Sequence, residues 1–269
     1  MATNILSPLV RALNRRVATK AARVHLAAYK EDGRGMGMEA EGPSFVQQHL
    51  AVIFDEIAQN QLAKLPPEYA CVVASTVAAY VIYTFVSSIA LLRPISESAR
   101  LHITQDLADL ELILEQFMAK SAWSVSLNQV HGGKPYLELR AVRQMLFWAF
   151  PSGNTDKTGP AIAKSMLRES WIRDVRPSTV CHFLFSYAPN LLSSPHHSRR
   201  LRAEEYIGTL VGLDGSVEDG EAGAWMTIMA CCDSFQQRKS VEQHDSSGDP
   251  RVARILMTLG PELLRPHRH

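Results

Sequence analysis

Along most of the chain apolar residues recur every three or four positions, the spacing of one face of an α-helix. Leu6, Leu9, Val10, Leu13, Val17, Ala21, Val24 and Ala28 draw such a stripe through residues 1–30. A loop with Gly33, Gly35, Gly37 and Gly42 follows. Ser44 then caps a predicted helix to about Ala63, which turns Val46, Leu50, Ile53 and Ile57 to one side. Pro66 and Pro67 stop it and open a long apolar helix that Pro94 breaks. Ser96 caps the next, where Ile103, Leu107, Leu110, Leu114 and Phe117 make an inward stripe. Residues 121–135, with His131-Gly132-Gly133, read as a connection, and Leu139, Val142, Met145, Leu146 and Phe150 as a further helix. A polar loop at 151–159 precedes predicted helices near 160–171 and 178–187. Two more are expected at 199–210 and 223–237, and Asp249-Pro250 opens a last one through Leu259. Sustained two-residue alternation is absent, so the predicted class is all-α.

Two segments admit a second reading. Residues 1–30 carry Arg11, Arg15, Arg16, Lys20, Arg23 and Lys30 before any acid. A basic amphipathic helix of this kind is either a mitochondrial transit segment or a packed helix, with Ser7 as cap and Pro8 in its first turn. Residues 69–92 carry no charge at all. That length spans a bilayer, but Ser75, Thr76, Thr84, Ser87 and Ser88 dilute it, and Tyr80 and Tyr83 sit near its middle. A buried central helix of a bundle accounts better for that pattern.

Composition narrows the class without naming a function. The 269 residues hold 28 Lys and Arg against 27 Asp and Glu, a net charge of +1, which argues against a dedicated nucleic-acid binder. Cys71, Cys181, Cys231 and Cys232 form no C-x-x-C pair, so neither a disulfide scaffold nor a zinc site is indicated, and a reducing compartment is expected.

Motifs for catalysis or ligand binding are missing. Gly133-Lys134 runs into Pro135, no glycine precedes Lys157-Thr158, and Gly33 to Gly37 has the wrong spacing for a dinucleotide fingerprint. Asp214, Asp219 and Glu221 lack calcium-loop spacing and read as a solvated loop. His196 and His197 are adjacent, and neighbours on a helix point apart rather than toward one ion. Arg199, Arg200 and Arg202 form a short basic cluster, read as a solvated surface. Cys231, Cys232 and His182 are expected in helix packing. No catalytic, cofactor-binding or metal residue is nominated.

Three blocks carry a resemblance. The first is Leu91-Leu92-Arg93-Pro94, followed by Arg100-Leu101 and the acid-bearing helix from Asp106 to Leu112. The second runs from Tyr136 through Leu139-Arg140 to Leu146-Phe147. The third is Phe183-Leu184-Phe185, then Ala188-Pro189 and Ser194-Pro195. In this order they resemble the C-terminal part of subunit 5 of the conserved oligomeric Golgi complex. Subunits of that family are several times longer, so the resemblance implies a C-terminal fragment or a gene model that begins late.

The resemblance implies a non-enzymatic, vesicle-tethering scaffold without a cofactor, built as stacked antiparallel helical bundles. The bundles are expected at 1–125 and 126–269. It further implies intra-Golgi retrograde transport, a place on the cytosolic face of Golgi membranes, and partners among the other subunits of the complex, subunit 7 first. No contact residue carries over. A partner face is expected near 180–194, from Val180 to Ser194, or on the last helix, where the resemblance is densest. The rival class is a mitochondrially targeted helical protein, and a third is a single-span membrane protein using residues 69–92.

Overall fold

Residues 69–92 carry no charge, and helix α4 (Pro67–Ala90), which holds most of them, is buried over all but its first turns. From Val77 to Ala90 every residue is buried. A computed structural model describes residues 2–21, 44–121, 125–151, 158–239 and 248–264 of the chain. The loop glycines at 33–42, Val24, Ala28 and the polar stretches at 152–157 and 240–247 lie outside the described residues. Among the described residues, α4 is the one helix long and apolar enough to cross a membrane, and most of it is covered by protein. Two of its hydroxyls bond back to the helix itself: Ser88 donates to the Thr84 carbonyl at 2.8 Å and Thr76 to the Val72 carbonyl at 2.9 Å.

Helix α1 (Ala2–Ala21) lies against α4. Leu6, Val10, Leu13, Val17 and Ala21 are buried as their spacing predicts, and Asn14 among them donates to the Leu213 carbonyl at 2.9 Å. The helix begins before Ser7, so Ser7 does not cap it and Pro8 sits inside. Pro8 lies beyond the first turn, so its missing N–H removes one intrahelical hydrogen bond, on the exposed side of the helix.

The helix expected from Ser44 is two pieces, α2 (Phe45–His49) and α3 (Ala51–Asn60), with a break at Leu50. Ser44 caps the first through its hydroxyl, which accepts the Gln47 N–H at 3.2 Å. Ser96 caps α5 (Glu97–Lys120) in the same way, accepting from Ala99 at 3.1 Å. The predicted α5 stripe, Ile103 to Phe117, is buried against α4 and the α2–α3 pair.

The connection after α5 contains short 3-10 turns at Leu127–Gly133 that bury Leu127 and Val130. His131, Gly132 and Gly133 there have positive φ, and Gly133 (φ +78°) precedes α6 (Lys134–Leu146). Phe150 lies beyond that helix and stacks on Tyr187 at 4.3 Å between ring centroids.

Helices α7 (Gly159–Met166), α8 (Pro177–Leu184), α9 (Pro195–Ser198), α10 (Ala203–Leu210), α11 (Glu218–Lys239) and α12 (Arg251–Leu264) complete the chain. The expected helix at 160–171 stops at Met166, and the one at 199–210 starts only at Ala203. Arg200 takes φ +55°, and the Glu205 carboxylate reaches back to the Arg202 N–H at 2.9 Å, fixing the later start. Helix α11 begins before the expected Gly223. Helices α6, α8 and α10 also touch α4, while α12 packs on α7, α8 and α11. One connected apolar core runs from Leu6 to Leu259. All regular structure among the described residues is helical.

Candidate functional site

The start of α8 holds a buried ionic cluster built from four helices. Pro177 at the first helical position leaves the next N–H groups without intrahelical partners. Glu221, from α11, accepts the Ser178 N–H at 2.8 Å and the Ser178 hydroxyl at 2.5 Å. Glu138, from α6, accepts the Thr179 hydroxyl at 2.8 Å. Arg176 lies between these carboxylates: its Nε–H meets Glu138 at 2.8 Å, and its Nη1 is 3.9 Å from Glu221. Its Nη2 donates to the Tyr83 carbonyl and the Ser87 hydroxyl of α4, and the guanidinium lies 4.6 Å from the Tyr83 ring centroid. Burial raises the Glu221 carboxyl, an effect that Arg176 and Ser178 oppose, and pushes the Tyr83 phenol up to about 12. Glu221 is thus part of the core junction, not of a solvated loop.

Beside this cluster His182 is fully enclosed. Its Nε2 is 3.0 Å from the Tyr206 hydroxyl, and Nδ1 has no partner among the described residues. Burial first, then the charges of Arg176 and His196, lowers its pKa to about 3. A base that weak and that enclosed packs rather than transfers protons at neutral pH. Cys181, Cys231 and Cys232 are buried close by, as expected, and desolvation pushes the Cys232 thiol up to about 12.

The stretch 180–194 is core and not a face. From Val180 to Ser186 every residue is buried, Ala188, Leu192 and Ser194 follow, and only Asn190 is exposed. The expectation of a partner surface there is corrected: the apolar density that carries the resemblance is the same density that packs α8 onto α4, α11 and α12. On α12 the exposed positions reduce to Arg254, Pro261 and Glu262. His196 binds Ser194 rather than standing with His197 as a pair of ligands, its Nδ1 being 2.7 Å from the Ser194 hydroxyl. Among the described residues no group of His, Cys, Asp and Glu could hold a metal ion. Arg202 pairs with Glu204 and Glu205, so the basic cluster is partly neutralised.

A surface that the inward-looking pattern passed over lies on the outside of α5. Leu101, Gln105, Ala108, Leu112, Gln116 and Ala119 are exposed at steps of four, three, four, four and three, and none is charged. Leu101 and Leu112 are 59% and 57% exposed. The ridge is about 27 Å long at 1.5 Å per residue. Acids that flank it are engaged elsewhere. Glu111 accepts from Tyr136 at 2.9 Å and pairs with Arg143 at 2.5 Å, and Glu115 accepts from Ser126 at 3.1 Å. The outward period of α5, read beside its inward one, would have revealed this ridge.

Comparison with known proteins supplies the context for such a face. No family model matches the chain, and no solved structure does. Subunit 5 of the conserved oligomeric Golgi complex from Arabidopsis thaliana is 30% identical over 158 residues, 59% of this chain. The chain is related to that subunit. The similarity covers 16% of the plant protein's length, so it concerns one part of a much longer chain. The relationship agrees with the all-helical fold and with the family resemblance of the three sequence blocks.

Proposed function

We propose that this chain is a non-enzymatic part of a Golgi vesicle-tethering complex that acts in intra-Golgi retrograde transport. The observation that carries the reading is the 30% identity to the Golgi-complex subunit over more than half of the chain. On this reading the chain works at the cytosolic face of Golgi membranes, among the other subunits, with subunit 7 as first partner. Its helices form part of a stack of bundles, 1–125 and 126–269. The uncharged α5 ridge suits a partner helix, because apolar anchors spaced three and four residues apart can pack against a second helix without desolvating a charge.

Affinity purification of the tagged chain from its own cells, with mass spectrometry, tests this. Recovery of other Golgi-complex subunits is expected, with loss of subunit 7 in the double variant Leu101→Glu, Leu112→Glu. A folded chain that recovers none of them overturns the reading. Unchanged recovery of subunit 7 by the double variant removes the α5 ridge from it.

A further inference from the structure

Helix α1 presents to solvent a face that carries cations and no acid. It carries Arg11, Arg15, Arg16 and Lys20 and no acid, while the whole chain has a net charge of only +1. The remainder is therefore net acidic, and this helix carries a local excess of positive charge. At 3.6 residues per turn, the exposed Ile5, Pro8, Ala12 and Thr19 fall along one line opposite the buried stripe. Arg11 and Arg15 border that line on one side, Arg16 and Lys20 on the other. Ile5 is 79% exposed, and the Thr19 hydroxyl turns back to donate to the Arg16 carbonyl at 2.8 Å. The outermost ridge is thus uncharged, and two rows of cations flank it.

We propose that this face is a contact site for an anionic phospholipid surface. The cations would meet lipid phosphates while Ile5 and its neighbours enter the interfacial layer, as long basic side chains do when a helix lies in the plane of a membrane. The apolar stripe of α1 stays packed on α4 throughout, so binding requires no unfolding. The acids nearest these cations leave the arrangement intact. Glu56 pairs with Arg16 at 2.6 Å with both side chains about half exposed, and Asp214 acts on Arg11 from the turn before α11. Arg15 and Lys20 make no ion pair among the described residues. An extended nucleic acid is the less fitting occupant, because the ridge offers no aromatic ring on which a base would stack. The proposal stands independently of the tethering reading.

Vesicle flotation with the full purified chain tests it, using phosphatidylcholine vesicles with and without phosphatidylserine. Binding is expected only with phosphatidylserine present, weakening as salt rises. The double variant Arg15→Glu, Lys20→Glu should lose at least about tenfold in binding while its circular dichroism stays unchanged. Ile5→Ser should bind several-fold more weakly at the same net charge. If the double variant does not fold, Ile5→Ser and the salt titration of the unmodified chain carry the test. Equal binding to both vesicle types, absence of binding, indifference to both variants, or displacement from the vesicles by an RNA oligonucleotide overturns the proposal.

Discussion

The Nε–H of Arg176 is shared between the two carboxylate oxygens of Glu138, at 3.0 and 2.8 Å, with the two side chains only 9% and 2% exposed. The pair joins the start of α8 to α6, and Nη2 of the same guanidinium joins it to the Tyr83 carbonyl and the Ser87 hydroxyl of α4. A charge buried this far is tolerable because a counter-charge lies against it and Nη2 is hydrogen-bonded, while Nη1 has only the 3.9 Å contact to Glu221.

Removing one partner is therefore expected to cost more than removing both. Glu138→Ala should lower the free energy of unfolding by about 3–5 kcal/mol, because Arg176 stays buried without its counter-charge. A double replacement by apolar residues, Glu138→Leu with Arg176→Met, should recover much of that loss. Urea denaturation of the two single variants and the double variant measures the coupling, and additive losses would show that the pair does not act as a unit.

His182 gives the fold a defined acid sensitivity. Burial lowers its pKa to about 3 in the folded chain, from the ordinary histidine value of about 6.5. Between these values the unfolded chain holds the extra proton, so stability falls as pH drops. The contribution is complete above about 6.5 and declines toward about 3, with a slope of up to about 1.4 kcal/mol per pH unit. Glu221, raised by burial, acts with the opposite sign above the ordinary carboxylate range. Unfolding midpoints measured from neutral pH down to about pH 5 should fall more steeply for the wild type than for His182→Gln, which cannot titrate, and equal slopes would remove His182 from the acid sensitivity.

Gly260 exists for Trp225. A β-carbon at position 260 would run into the indole ring carbons Cζ3 and Cη2, on the surface where α12 packs against α11. A rigid ring has no flexible end to move aside, so Gly260→Ala should destabilise by about 1–3 kcal/mol. A thermal melt lowered by several degrees checks this. An unchanged melting temperature would mean that α12 shifts at no cost.

The four thiols should fall into two kinetic classes. Cys71 is partly exposed, while Cys181, Cys231 and Cys232 are buried, with desolvation raising Cys181 and Cys232. Reaction with a thiol reagent at neutral pH should be confined to Cys71 in the native chain and reach all four in denaturant. Fast native labelling of Cys231 or Cys232 would show that α11 opens readily.

The helical class, the capping serines Ser44 and Ser96, the buried character of residues 69–92 and the inward stripes of α1 and α5 were all legible in the sequence. Each depends on chemistry within a few residues: the helical period of apolar side chains, a hydroxyl before a first turn, a proline at a first turn. The burial of 180–194, the recruitment of Glu221 into a core junction, the late start of α10 and the fit of Gly260 to Trp225 were decided only by tertiary structure. Glu221 looks like any loop acid until α11 brings it to the start of α8, 43 residues away in sequence. The stretch around Phe183 is apolar whether it faces a partner or a core, because burial takes apolar surface from water in either place. Local sequence specifies which face of a helix avoids water, and the packing of distant helices determines what covers that face.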